Sequence, residues 1–177
     1  MSVDDKPPFP GDERRNPAAT EPASQLVARI KHLVTEQLYG VLCTQGQGQP
    51  YGSLIAFAFS DDLSSTVFST PIATRKYHLL SECDRVSLVV DNRPQYPHDM
   101  MKVEALTATG QAKEVERGPA FQEHKRLLIG RHPQLASFVN ASSSALFRID
   151  IFRFFHVSRF QEVSEWSPPS THHRITG

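Results

Sequence analysis

Cysteine is scarce in this 177-residue chain, and neither sign of charge is in excess. Cys43 and Cys83 stand far apart and match neither a CxxC pair nor a zinc-ligand spacing. They read as free, buried thiols of a reducing compartment rather than as a disulfide framework. Nineteen Lys and Arg balance nineteen Asp and Glu, for a formal net charge of zero. No basic face is implied, so nucleic acid is not expected as a partner. No apolar run reaches membrane-spanning length, and the N-terminal stretch lacks the apolar segment of a secretory signal. A cytoplasmic protein without a membrane partner is the expectation.

Catalytic signatures are equally sparse. Neither GxGxxG nor GxxxxGK[ST] occurs, which removes the signals for dinucleotide and P-loop chemistry. Ser142, Ser143 and Ser144 lack a GxSxG context and read as a loop before a strand. His124 and His132 lie eight apart with no carboxylate at fixed spacing, and His172 and His173 fall in a polar tail, so no metal site is nominated. Cys43 sits mid-strand among apolar neighbours, as a core residue does. Nothing identifies a general acid, base or nucleophile; catalytic residues stay unknown.

What is present suits one domain. Residues 1–22 hold five prolines and many charges, and 167–177 are similarly poor in apolar content, so both read as flexible segments flanking a folded domain over 23–166. "SQLVARIKHLVTEQL" places Leu26, Ile30, Leu33, Val34 and Leu38 at helical intervals, with Ser24 as N-cap. Strands follow at 39–44 and 51–59 around a Gly-Gln-Gly-Gln-Pro turn, then at "STVFST" and "RVSLVVDN". "KVEALTATGQAKEVE" predicts a long strand bent at Gly110, and "SALFRIDIFRFFHVSRF" a final one. Two short helices broken at His132-Pro133 lie between them. About six antiparallel strands linked by turns argue against a doubly wound sheet and for a small, mainly β (α+β) barrel decorated by helices.

One local feature opposes stability. "FSTPIATRKYHLL" puts Arg75 and Lys76 where a helix opens after Thr74, against the helix dipole. A helix N-terminus offers free N–H groups, and an Arg fork, a Lys point charge and the Thr74 hydroxyl complete a cradle for a phosphate monoester. The other reading is a solvated basic turn.

The order "GQPYGSLIAFAF", "TVFSTPIATRKYHLL", "RVSLVVDN", "VEALTATGQAKEV" resembles the FMN-binding split-barrel family, whose best-known member is pyridoxamine 5'-phosphate oxidase. The resemblance covers roughly residues 26 to 160. It implies a six-stranded antiparallel split barrel with Greek-key character, an N-terminal helix and short peripheral helices. It further implies an FMN-dependent oxidoreductase, with the phosphate on Thr74, Arg75 and Lys76. Ser69 and Thr70 would lie beside the ring or ribityl chain, and Gly52, Ser53, Leu54 and Ile55 would give main-chain contacts to the isoalloxazine. A homodimer with the cofactor at the subunit interface is implied as well. Arg75 is expected to be the seated cation and Lys76 the more solvent-screened one.

The chain departs from the family pattern in two places. The glutamine that reaches the flavin in pyridoxamine phosphate oxidases falls on Ala105, with Glu104 beside it. Their Arg-His tail is replaced by "RFFHVSRFQEVSEW", where Phe160 and Trp166 could cover the ring or close the dimer core. Its last strand looks more like that of relatives such as haem-utilisation proteins. The alternative is therefore a non-catalytic flavin- or haem-binding protein, with His78, His98 and His156 as candidate axial ligands.

Overall fold

The computed structural model describes residues 22–159 and 162–169. Most of the expected N-terminal arm (1–21), Phe160, and the tail from 170, including His172 and His173, lie outside the described residues.

Helix α1 (Ala23–Glu36) buries Leu26, Ile30, Leu33 and Val34, the stripe its periodicity predicts. It opens two residues earlier than expected. Pro22 takes the N-cap position without a side-chain hydrogen bond, so Ser24 lies inside the first turn. Leu38 falls beyond the helix and is 46% exposed.

The chain then forms β1 (Tyr39–Gly46), β2 (Gln49–Ala56), β3 (Ala58–Phe59), β4 (Ser65–Pro71), α2 (Arg75–Glu82), β5 (Arg85–Asp91), β6 (Ala105–Glu114), α3 (Pro119–Arg131), α4 (Ala136–Asn140), β7 (Ser144–Ser158) and β8 (Glu162–Trp166). These strands make one antiparallel sheet in the order β2-β1-β5-β6-β7-β4-β3, with β8 also on β7. β2 and β4 approach each other across the opening, so the sheet curls into a split barrel. Non-consecutive neighbours such as β1–β5 and β4–β7 give it Greek-key character.

Eight strands stand where six were expected, for two physical reasons. The run 51–59 changes partners at Phe57: β2 pairs with β1, while β3 pairs with β4. The buried Phe57 ring fills the core, and its carbonyl accepts a hydrogen bond from His132 Nε2 (2.9 Å) instead of continuing a ladder. At the other end, Arg159 takes a left-handed φ of 45° and β8 returns along β7. Trp166 then stacks on Phe154 with ring centroids 5.7 Å apart. That contact puts Trp166 against the core.

β7 organises the rest. One edge pairs with β6 over 147–157; the other is divided between β4 (Ser144–Asp150) and β8 (Phe154–Ser158). The β6–β7 register shifts between Thr109 and Gly110, as the predicted bend requires. A Cβ at 110 would lie 2.3 Å from the Asp150 carbonyl oxygen, so only glycine permits this approach. Leu42, Leu88, Leu106, Phe68, Ile149 and Phe154 fill the interior beneath α1. A smaller cluster of Val67, Phe121, Leu128, Val139 and Leu146 seats α3 and α4.

Arg131 ties these parts together. Its Nη2 lies 2.6, 2.8 and 2.8 Å from the carbonyl oxygens of Val34, Thr35 and Gln37, where α1 ends. Its guanidinium also covers the Phe57 ring, 5.5 Å from the centroid. A cation that satisfies the last carbonyls of a helix complements the dipole as well. Among the described residues no helix is long and apolar enough to cross a membrane.

Candidate functional site

The turn from β4 into α2 is fixed by hydroxyl groups. Thr74 is the N-cap: its Oγ1 donates to the Pro71 carbonyl (2.8 Å) and accepts from the Tyr77 N–H (3.4 Å). The buried Thr70 lies 3.0 Å from the same oxygen. Because the Thr74 proton is committed to Pro71, Thr70 is the donor of that pair. The two threonines thus preform the turn, and the N–H groups of Arg75 and Lys76 are left without an intrahelical acceptor. Ser69 does not reach toward this opening, since its hydroxyl donates to the Ala145 carbonyl of β7 (2.8 Å).

The two cations exchange the roles expected of them. Arg75 is exposed, lying over the Tyr51 ring of β2 at 5.2 Å to the centroid. Lys76 is half-buried, and burial pushes its ammonium below the usual lysine range. Among the described residues no acidic side chain pairs with it. A partly desolvated cation without a counter-charge favours an anion that enters beside it.

β2 forms the facing wall. It pairs only with β1, so alternate main-chain groups on its other edge have no strand partner. Its side chains alternate: Ile55 is buried in the core, Leu54 is 68% exposed, and Gly52 adds no side chain on Leu54's face. Ser53 Oγ is buried and has no hydrogen-bond partner among the described residues. An orphaned hydroxyl on the strand that would flank a flavin fits a ring with polar edges, as the uncompensated Lys76 fits its phosphate.

The structure therefore gathers Thr70, Thr74, Arg75 and Lys76 around one turn, with Arg75 bridging to β2. Ser69 and Ile55 are engaged elsewhere through their side chains. Tyr51 was missed by sequence reasoning. The available signal was an aromatic on the predicted second strand ahead of an arginine at a helix start.

Glu104 and Ala105 point apart. Leu106 and Ala108 line the core, so Ala105, Thr107 and Thr109 occupy the outer face, where Thr107 and Thr109 line a groove of about 710 Å³ that also reaches Cys43 and Ser87. Glu104 turns inward instead. Its Oε1 accepts from Arg29 Nη2 (2.9 Å) and its Oε2 from His156 Nε2 (2.9 Å). Burial raises its pKa, but those hydrogen bonds and the charges of Arg29 and His156 together hold it below the usual glutamate range. His156 is 1% exposed; its Nε2 is taken by Glu104, and its Nδ1 is buried with no hydrogen-bond partner among the described residues, so its burial rather than its hydrogen bond keeps it from being an open axial ligand. His78 and His98 are both exposed. His132, buried against Phe57, serves the core. Among the described residues no group of three His, Cys, Asp or Glu could hold a metal ion.

The family model for pyridoxamine 5'-phosphate oxidase matches residues 26–158. No curated protein sequence matches the chain. Solved structures of similar fold include a haem binding protein from Mycobacterium smegmatis (TM-score 0.72, 15% identity, 84% of this chain and 60% of that one). They include a FAD-binding protein from Mesorhizobium loti (0.60, 18%, 73% and 90%). A third is a Clostridium acetobutylicum protein related to general stress protein 26, of the pyridoxinephosphate oxidase family (0.62, 14%, 81% and 94%). The chain spans about 60% of the length of the mycobacterial protein.

Proposed function

The chain belongs to the pyridoxamine 5'-phosphate oxidase family, and we propose that it is an FMN-binding flavoprotein that acts as an oxidoreductase. The observation that carries this reading is Lys76: half-buried, without an acidic partner among the described residues, and beside a preformed helix N-terminus. Lys76, the Arg75 guanidinium and the free N–H groups of the first turn of α2 would hold the FMN phosphate. The unpaired edge of β2 and the Ser53 hydroxyl would meet the polar rim of the ring. FMN, when bound, supplies hydride or electron transfer; the protein positions it and excludes water.

Exposed apolar side chains, among them Leu54, Met100 and Met101, support a homodimer in which a second copy completes the pocket. The two thiols are unpaired, which is compatible with a reducing, cytoplasmic setting. A haem-binding reading has the mycobacterial neighbour's description in its favour. Its strongest buried candidate, His156, is 1% exposed, with Nε2 on Glu104 and Nδ1 enclosed by the core.

Titration of the purified protein with FMN and riboflavin tests the proposal, with flavin fluorescence as readout. FMN should bind at least about tenfold more tightly than riboflavin, the worth of one charge-assisted contact. Equal affinity for the two would mean that the cations face only water. A Soret band in place of a flavin spectrum would favour the haem reading.

A further inference from the structure

Arg75 borders more than the phosphate turn. Between α2 and the β1–β2 hairpin lies a hollow of about 560 Å³, lined by Gln47 and Gln49 from the hairpin and by Arg75, His78, Leu79 and Glu82 from α2. Resting on the FMN reading above, we propose that this hollow is a nucleotide subsite that takes the adenosine phosphate half of FAD.

Continuity is the first argument. A flavin phosphate held at the start of α2 sits beside Arg75, and the second phosphate of a dinucleotide would meet the same guanidinium on entering the hollow. Arg75, His78, Leu79 and Glu82 stand at i, i+3, i+4 and i+7, so they form one face of the helix. That face runs about 10 Å from the phosphate end to Glu82, at about 1.5 Å per residue. The volume lies within the range of roughly 300–1,000 Å³ common for small-molecule sites.

The chemistry of the lining follows the order of groups in the ligand. Arg75 answers the pyrophosphate charge. Glu82 is exposed and, among the described residues, makes no ion pair, so its carboxylate can accept from ribose hydroxyls. The side-chain amide of Gln47 presents the paired donor and acceptor that an adenine edge requires, while Gln49 donates Nε2 to the Pro50 carbonyl (3.1 Å) and offers its Oε1 and remaining N–H. The His78 ring and the apolar Leu79 offer a surface for the base.

The walls are held close together. A Cβ at Gly46 would lie 2.4 Å from Leu79 Cδ2 and 2.7 Å from Glu82 Oε2, so a larger residue there would push these two side-chain ends into the hollow. The hairpin turns on two left-handed residues, Gln47 (φ 53°) and Gly48 (φ 78°). Two positive-φ central residues give the tight turn that matches strand twist, and glutamine is an uncommon occupant of the first.

The test titrates the full-length apo protein with FMN and FAD, in wild type and in Glu82→Gln and His78→Ala. Both residues are exposed, so the substitutions spare the core, and far-UV circular dichroism checks the fold. FAD should bind wild type about tenfold more tightly than FMN, and each substitution should remove about tenfold of FAD affinity while changing FMN affinity less than about twofold. FMN binding with FAD no tighter, or substitutions that weaken both flavins alike, overturns the subsite and leaves the FMN reading standing. Failure of both flavins to bind sinks that reading and the subsite with it. AMP added to FMN-loaded protein separates the sources of adenosine phosphate: tight AMP binding without a preference for FAD over FMN would make the hollow a site for a separate nucleotide and overturn the proposal.

Discussion

Two helix ends in this protein carry cations in opposite states. At the C-terminal end of α1, Arg131 delivers Nη2 to three main-chain carbonyls, covers Phe57, and opposes a negative dipole end. At the N-terminal end of α2, Arg75 and Lys76 face a positive dipole end, and Lys76 has no acidic partner among the described residues. The first cation is consumed by the fold. The second pair is left over by it. Burial pushes the Arg131 guanidinium down as well, and its Nε has no hydrogen-bond partner among the described residues, but Nη2 is met by three carbonyls, whereas Lys76 is met by no acidic partner.

The sharpest way to break this comparison is to remove the consumed cation. Arg131→Ala strands three carbonyls at the end of α1 and uncovers Phe57, and it should destabilise the protein by roughly 3 kcal/mol. Arg131→Lys should recover only part of that, since the ammonium can donate to several carbonyls but its shorter stem loses the planar cover over Phe57. Urea denaturation measures both. Flavin affinity of the folded fraction should be unchanged. A destabilisation below about 0.5 kcal/mol would show that the clamp is ornamental and that the contrast between the two ends is false.

The unspent pair should behave the other way. Lys76→Ala should weaken FMN binding by about 2–3 kcal/mol, a typical loss at a desolvated charge pair, with little effect on the apo protein's denaturation midpoint. Lys76 should matter more than Arg75, because it is the half-buried member of the pair. Isothermal titration separates the two variants. The reverse order would show that the turn rearranges when flavin enters.

A third test concerns the Arg29–Glu104–His156 cluster, which is spent like Arg131 but titratable. The folded pKa of Glu104 lies below its ordinary value of 4.5. The carboxylate therefore contributes stability that is fully present above about pH 4.5 and is lost as pH falls through the folded value. Glu104→Gln should destabilise the protein by roughly 1–2 kcal/mol at pH 7 and flatten the loss of stability between about pH 5 and 3. An unchanged acid limb in the variant would show that other carboxylates set it.

The contrast also explains what the sequence could reveal. The stripe Leu26, Ile30, Leu33 and Val34 was legible because burial follows helical period. So was the bend at Gly110, because a glycine inside an alternating strand has few other uses. The cation pair stood out because it violated a local rule. Arg131 did not, since its partners lie 94 to 97 residues away in sequence. The same distance problem hid the pairing of Glu104 with His156, 52 residues apart, and the exchange of partners at Phe57. Which of Arg75 and Lys76 is the buried one depends on β2 closing over the turn, and adjacent letters carry no such information.

The smallest expected effect is the most discriminating. Arg75→Ala removes a cation opposed to the dipole of α2, a relief of about 0.3–1 kcal/mol at an exposed site. It also removes the contact with the Tyr51 ring, worth about 0.5–1 kcal/mol when exposed. These terms nearly cancel, so the apo protein should melt within about two degrees of wild type, the shift that a few tenths of a kcal/mol gives in a domain of this size. FMN affinity should nevertheless fall by about tenfold, through loss of a charge-assisted contact to phosphate. Riboflavin, which lacks the phosphate, should bind the variant and wild type alike. A clear fall in apo stability with unchanged FMN affinity would place Arg75 with Arg131, as a cation that the fold has already spent on Tyr51.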